Sequence, residues 1–302
     1  MHQIISSLFI VFLALTIIAA TRLVRRKVTK VLYQPKSSLK SIGSNVPIPD
    51  NIFLSTVSDK VFINKHNKEA SLHAWWLNKW PNAKTILYFH GNSYNITYRE
   101  YMLKICDILH FNILMIDYQG YGISDGKPSS RNILEDSKTV SKFLLSKVSS
   151  ENIIIWGESL GGTPAIYAAK QIRPFALILF STFASLHSLL KKSDTNPFLC
   201  SLATLVTEDI NDYTNNIQFI KKVLCPILIL HSKEDDLIPF SNAETLYNNI
   251  SHLDKRFEVI RGTHSDPKLT KANIEVMTSF LGLNATMEQL KEMRDVINNL
   301  NW

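Results

Sequence analysis

Cysteine is scarce in this chain of 302 residues, with only Cys106, Cys200 and Cys225. An odd, unpatterned set excludes a disulfide framework and a zinc ribbon, and reads as small buried hydrophobes. Glycine is scarce too, at 10 residues, so each one is informative. Low-complexity tracts and internal repeats are absent, and 45% of the residues are hydrophobic. That composition excludes a disordered chain and suffices for one large domain or two small ones.

Acidic residues are missing before Asp50, whereas Arg22, Arg25, Arg26, Lys27, Lys30, Lys36 and Lys40 fall there. These seven equal the whole net charge of +7, so the rest of the chain is neutral. A basic block confined to one terminus argues against a nucleic-acid-binding surface. Just before it, Ile4 to Thr21 is apolar apart from Ser6, Ser7 and Thr16. As a helix this run is roughly 27 Å long, near the ~30 Å hydrocarbon core of a bilayer. A cleaved signal peptide would need basic residues ahead of the run and a small residue where Ile18 stands. The expectation is therefore a single-pass anchor over 1–24. A basic linker over 25–49 then touches anionic lipid and places the following domain on the cytoplasmic side.

From Asp50 onward, short apolar runs alternate with helical spacing. Strands are expected at Val57–Ile63, Leu72–Leu77, Thr85–His90, Asn112–Asp117, Asn152–Trp156, Ala176–Phe180, Pro226–His231 and Arg256–Ile260. Helices are expected at Tyr98–Leu109, Arg131–Lys147, Leu160–Gln171, Ser241–Asn249 and Thr270–Leu281. Such alternation predicts an α/β fold over 50–283, a mostly parallel sheet covered on both faces. Residues 184–223 leave room only for a small cap. In 284–302, Thr286 and Gln289 fit a capping box, with Met287, Leu290, Met293 and Ile297 on one helix face.

Open parallel sheets place their sites at the carboxyl ends of the strands. Eight of the 10 glycines follow predicted strands: Gly91, Gly120, Gly122, Gly126, Gly157, Gly161, Gly162 and Gly262. Ordinary turns would spread glycine over both sheet edges, so this bias points to one site on one edge. Gly157-Glu158-Ser159-Leu160-Gly161-Gly162 joins a strand to a helix, the context of a nucleophile elbow. Ser159 is thus the candidate nucleophile rather than a plain helix cap.

A serine hydroxyl needs a general base, and the chain order in such folds is Ser, acid, His. His264 follows a strand in Gly262-Thr263-His264 and is the expected base; His252 precedes that strand, on the wrong edge. Glu234, Asp235 and Asp236 all qualify as the acid by position. The backbone N–H groups of Leu160 and Asn92 are the expected oxyanion donors. His90 braces the loop after Thr85–His90, and His90, Gly91 and Tyr118 are expected beside the substrate. Asp117 reads as a loop-stabilising residue. No histidine–carboxylate set has metal-ligand spacing, and the chemistry calls for no cofactor.

Together, His90-Gly91-Asn92, Asp117-Tyr118-Gln119-Gly120-Tyr121-Gly122, the Ser159 hexapeptide, His231 through Pro239 and Gly262-Thr263-His264 resemble one family. They are similar to the small membrane-anchored α/β-hydrolases of the bud-emergence type, over most of Tyr33–Leu281. The resemblance implies an α/β-hydrolase fold and selects Asp235 as the acid. It also implies Asn92 and Leu160 as oxyanion donors. The absence of basic residues before the anchor departs from many relatives. The expected activity is hydrolysis of a lipid-like acyl ester through an acyl-enzyme. A protein acyl-thioesterase, a serine peptidase or amidase, and an inactive membrane-bound binding module stand as the alternatives.

Overall fold

Side chains alternate across a strand, so a strand covered on both faces must be apolar at every position. Five strands adjacent in the sheet are buried along their whole length and mostly apolar, and they build the centre of the fold. The computed structural model describes residues 2–41, 43, 46–47, 49–56, 70–190 and 213–299; within these, the side chains of 2–14, 53–56 and 190 stay undescribed.

Strands β1 (Gln34–Pro35) to β11 (Asp266–Lys268) run in chain order through β2 (Asp50–Thr56), β3 (Ala70–Leu77), β4 (Thr85–Phe89), β5 (Ser93–Tyr94), β6 (Asn112–Ile116), β7 (Ile153–Glu158), β8 (Ala176–Phe180), β9 (Ile227–Ser232) and β10 (Lys255–Thr263). Nine of them form one sheet, in the order β11-β10-β9-β8-β7-β4-β6-β3-β2. β6 to β10 in that order are parallel, while β2, β3 and β11 attach antiparallel at the two ends. The remaining pair, β1 and β5, forms its own short parallel ribbon.

The alternation sorts residues onto two cores. Leu87, Leu114, Ile155, Leu179 and Ile229 face the helices Ser130–Leu145, Gly162–Ile172 and Ser241–Asn248. Ile86, Met115, Ile154, Ile178 and Leu228 face the helices Glu100–Ile108, Lys271–Phe280 and Met287–Asn298. Every strand from β4 to β9 in the main sheet therefore ends at one edge, with its following loop above the sheet.

Element for element, the strands expected from Leu72 onward appear within a few residues of their predicted bounds. Val57–Ile63 lies outside the described residues, and β2 runs just ahead of it, at Asp50–Thr56. Cys200 and residues 191–212 of the expected cap also lie outside. β10 continues past Ile260 to Thr263 because β11 pairs with its end.

At the N-terminus the helix His2–Leu32 runs on through the first part of the expected linker. Its end is tied to the body: Leu32 and Tyr33 are buried in the first core, and Tyr33 shares a 2.7 Å hydrogen bond with Ser130. Among the described residues no helix is long and apolar enough to cross a membrane. Most of the side chains of Ile4–Thr21 are outside that set.

The C-terminal helix begins in the expected capping box, with Gln289 N–H on Thr286 Oγ1 at 3.2 Å and Thr286 N–H on Gln289 Oε1 at 2.9 Å. Leu290, Met293 and Ile297 pack into the second core. Met287 does not share that face: it sits in the first turn and is 62% exposed. Met293→Ala should then cost on the order of 2–5 kcal/mol in urea denaturation, and Met287→Ala under about 0.5 kcal/mol. Equal effects would contradict docking of this helix.

Candidate active site

The turn from β7 into the helix Gly162–Ile172 has almost no room. Ser159 takes a left-handed backbone, φ 52°, a conformation that non-glycine residues adopt at a cost. A Cβ on Gly161 would overlap the Phe89 carbonyl, so the turn passes against the end of β4 only because Gly161 has none. The strained serine holds its hydroxyl at the start of the helical turn Ser159–Gly161, over the sheet edge.

Three strand ends meet there. Ser159 Oγ lies 3.0 Å from His264 Nε2, and His264 Nδ1 lies 2.8 Å from Asp235 Oδ2. Asp235 follows β9 and His264 follows β10, which are adjacent parallel strands. Burial alone would raise the Asp235 carboxyl; the His264 hydrogen bond and charge, with the Ile238 N–H at 2.7 Å, outweigh it and hold the group below the usual carboxylate range. An ionised Asp235 accepts the Nδ1–H, which leaves Nε2 able to take the serine proton.

The two neighbouring carboxylates each hold the same histidine loop. Glu234 accepts the Gly262 N–H at 2.8 Å, and Asp236 accepts the His264 N–H at 3.0 Å. All three acidic residues after β9 therefore have a defined partner. His231 Nε2 approaches Asp235 at 3.4 Å, but its hydrogen bond goes to the Ile238 carbonyl at 2.9 Å.

The loop after β4 closes the other side. The Asn92 carbonyl accepts from Gln34 N–H and Tyr121 Oη–H, both at 2.9 Å. Its side-chain amide donates to the Val31 carbonyl at 3.2 Å. Asn92 lines the space above Ser159, and so does Leu160. Gly91 lies against Ser159 Cβ and Glu158. His90 and Tyr118 do not line it. Both are fully buried: His90 stacks on Tyr118 at 4.4 Å, and Tyr118 donates to the His90 carbonyl at 2.8 Å. Burial first, then the Arg99 charge, pull the His90 pKa down to about 3, so its ring is neutral and braces the loop from behind. Asp117 accepts His73 Nδ1 and the Ile96 N–H at 2.9 and 2.8 Å, anchoring the adjacent loop. Among the described residues, no group of three or more His, Cys, Asp or Glu is arranged to hold a metal ion.

Known proteins are similar to this chain in sequence and fold. A family model described as steryl acetyl hydrolase matches residues 4–173, and one described as the prolyl oligopeptidase family matches 129–274. The Protein bem46 of Schizosaccharomyces pombe is 30% identical over 286 residues, covering 90% of this chain and 91% of that protein. The chain belongs to the α/β-hydrolase family. Human alpha/beta hydrolase domain-containing protein 17B is 28% identical over 224 residues, 73% of this chain and 74% of its own. Among solved structures, the Pyrococcus furiosus esterase Pf2001 superposes with a TM-score of 0.58 at 17% identity, covering 86% of this chain and 98% of that one. Acetyl xylan esterase 1 from Thermoanaerobacterium gives 0.58 at 16%, covering 90% and 93%. These two likenesses speak to the fold.

Within this α/β-hydrolase, one constellation escapes the sequence. Glu158, just before the serine, is buried and accepts hydrogen bonds from Tyr88 and Tyr101 while Arg99 Nε lies 3.3 Å away. Burial, and then the Glu158 charge, raise both phenols well above their usual range, so they stay protonated donors. An acid closing the apolar run Ile153–Trp156 was the one available signal. Its partners stand 57 to 70 residues away in sequence, beyond any local pattern. The cluster fixes the residue beside Ser159 from below. Glu158→Ala leaves Arg99 and two phenols buried without that carboxylate and should cost on the order of 3–5 kcal/mol by denaturation. A loss below about 1 kcal/mol would show that the cluster does not brace the elbow.

Proposed function

We propose that this protein is a serine hydrolase that cleaves the carboxylic ester of a lipid-like acyl substrate through an acyl-enzyme on Ser159. The observation that carries the reading is the Ser159–His264–Asp235 chain, with Ser159 shared by two cavities, one of mixed polarity and one mainly apolar. One, about 270 Å³, is edged by Gly91, Asn92, Ser93, Arg99 and Ser181. The other, about 370 Å³, is walled mostly by leucine, valine and isoleucine. An ester of a fatty acyl group and a polar alcohol has the same two halves.

His264 Nε2 takes the Ser159 proton as Oγ attacks the acyl carbon. The resulting oxyanion is stabilised by the Leu160 and Asn92 N–H groups. The tetrahedral intermediate collapses, His264 Nε2–H passes its proton to the departing alcohol oxygen, and the acyl-enzyme remains. Water, deprotonated by His264, then attacks the acyl carbon, and Ser159 Oγ recovers its proton as the acid leaves. Asp235 keeps the imidazole in the required tautomer throughout. No step calls for a cofactor.

The same steps would cleave a thioester, whose leaving group is a thiol. The prolyl oligopeptidase match favours an amide as a second reading. The apolar cavity at Ser159 ranks acyl esters first. The N-terminal segment supports work at a membrane surface on the cytoplasmic side. Leu15, Ile17, Ile18, Leu23 and Val31 are 46–65% exposed on the helix that carries five of the basic residues.

A fluorophosphonate probe should label the wild-type chain and fail on Ser159→Ala. Hydrolysis of a p-nitrophenyl ester by Asp235→Asn should fall by roughly 10⁴-fold, since an Asn leaves the histidine in the wrong tautomer. An unlabelled wild type, or labelling that survives in Ser159→Ala, would contradict the reading.

A further inference from the structure

The apolar cavity at Ser159 is lined by the end of the N-terminal helix, by the short helix Leu186–Leu190, and by Phe183, Leu237 and Ile238 from the loops after β8 and β9. On one side stand Val28, Val31 and Leu32, the last turns of the N-terminal helix. On the other stand Leu186 and Leu189 of the short helix Leu186–Leu190. Ser159 and Leu160 lie at its base. Leu32 is buried in the core, whereas Val31 is 65% exposed, so along the helix the groove wall runs from core to solvent.

We propose that the last turns of the N-terminal helix are one wall of the acyl-binding groove, and that Val31 and Leu189, which both line it, set which unbranched fatty-acyl chains reach Ser159. This inference rests on the esterase reading above and names the acyl half of its substrate. The occupant is an acyl chain because the groove reaches the nucleophile and its walls are mostly methyl and methylene groups, with Lys27 and Gln34 its polar members beside Asn92. The carbonyl at Ser159 is the only part of such a substrate that needs polar contacts, and the loop residue Asn92 stands there. Each methylene added along the walls leaves water on binding and raises affinity by roughly four-fold. A short acyl group leaves the outer groove unfilled and forgoes that gain.

The helix is also tied to the oxyanion loop. The Val31 carbonyl accepts from the Asn92 amide at 3.2 Å, and β1 after the helix pairs with β5 after Asn92. The wall is therefore tied to the loop beside Ser159 through the Val31 carbonyl and the β1–β5 pairing, which a change of the Val31 side chain leaves in place. That makes Val31 a position where groove width can be altered without removing a core residue.

The test uses the full chain in detergent micelles and p-nitrophenyl acetate, octanoate and palmitate. The readout is the ratio of kcat/KM between esters, which cancels changes in active fraction. Val31→Trp and, from the opposite wall, Leu189→Trp should each lower the octanoate-to-acetate ratio by roughly ten-fold or more, the scale of a methylene-sized misfit in an apolar site. Val31→Ala should move the palmitate-to-octanoate ratio upward. Leu253→Trp, at a 96% exposed position before β10, should leave both ratios unchanged. Ratios that stay at the wild-type value in all three groove variants, with wild-type turnover intact, would overturn the groove assignment alone. A wild type that turns over none of the three esters would overturn the esterase reading and the groove with it.

Discussion

A single backbone conformation governs the site: Ser159 at φ 52°, held between β7 and the helix that follows. Nothing about serine favours it. It persists because the surroundings over-determine it. Gly161 lets the turn pass against the β4 carbonyl, and the Thr182 hydroxyl donates to the Ser159 carbonyl at 2.6 Å. Glu158 is locked from below by Tyr88, Tyr101 and Arg99. The register of the parallel strands does the rest, because β4, β7, β9 and β10 all end at the same edge. Strain at one residue is thus sustained by hydrogen bonds and packing from the residues around it.

Much of this was legible in the residue pattern. Continuous apolar runs such as Ile153–Trp156 and Ile227–Leu230 can be satisfied only by burial on both faces, and they become the central strands. Glycine bias toward strand ends located the edge, and Ser159 and His264 come together there. What stayed open has a physical cause. Glu234, Asp235 and Asp236 are chemically alike and adjacent. Only the twist of the loop decides that Asp235 meets the imidazole while its neighbours take backbone N–H groups. His90 and Tyr118 stood at strand ends and were expected beside the substrate. Their aromatic area is instead spent on stacking beneath the loop, a choice made by packing that strand position does not reveal.

The N-terminal segment changes most between pattern and structure. A basic stretch reads as a linker when only its charge is weighed. Leu32 and Tyr33 within it are buried, and the helix continues until they are docked. The consequence reaches the site: the same helix end contacts the Asn92 loop and faces the apolar cavity. The element nearest the expected lipid surface and the element that contacts the Asn92 loop beside Ser159 are one piece of chain. Local frustration of a polar pattern by two buried side chains has become a structural link between the terminus and the nucleophile.

The central claim is that Ser159 carries the acyl group during turnover. It is tested most directly by acid-quenching the full chain during hydrolysis of p-nitrophenyl octanoate and mapping the mass adduct by peptide sequencing. The account predicts one octanoyl group, on Ser159, and neither adduct nor turnover in Ser159→Ala. Turnover that persists in Ser159→Ala, or an acyl group found on another residue, would contradict it.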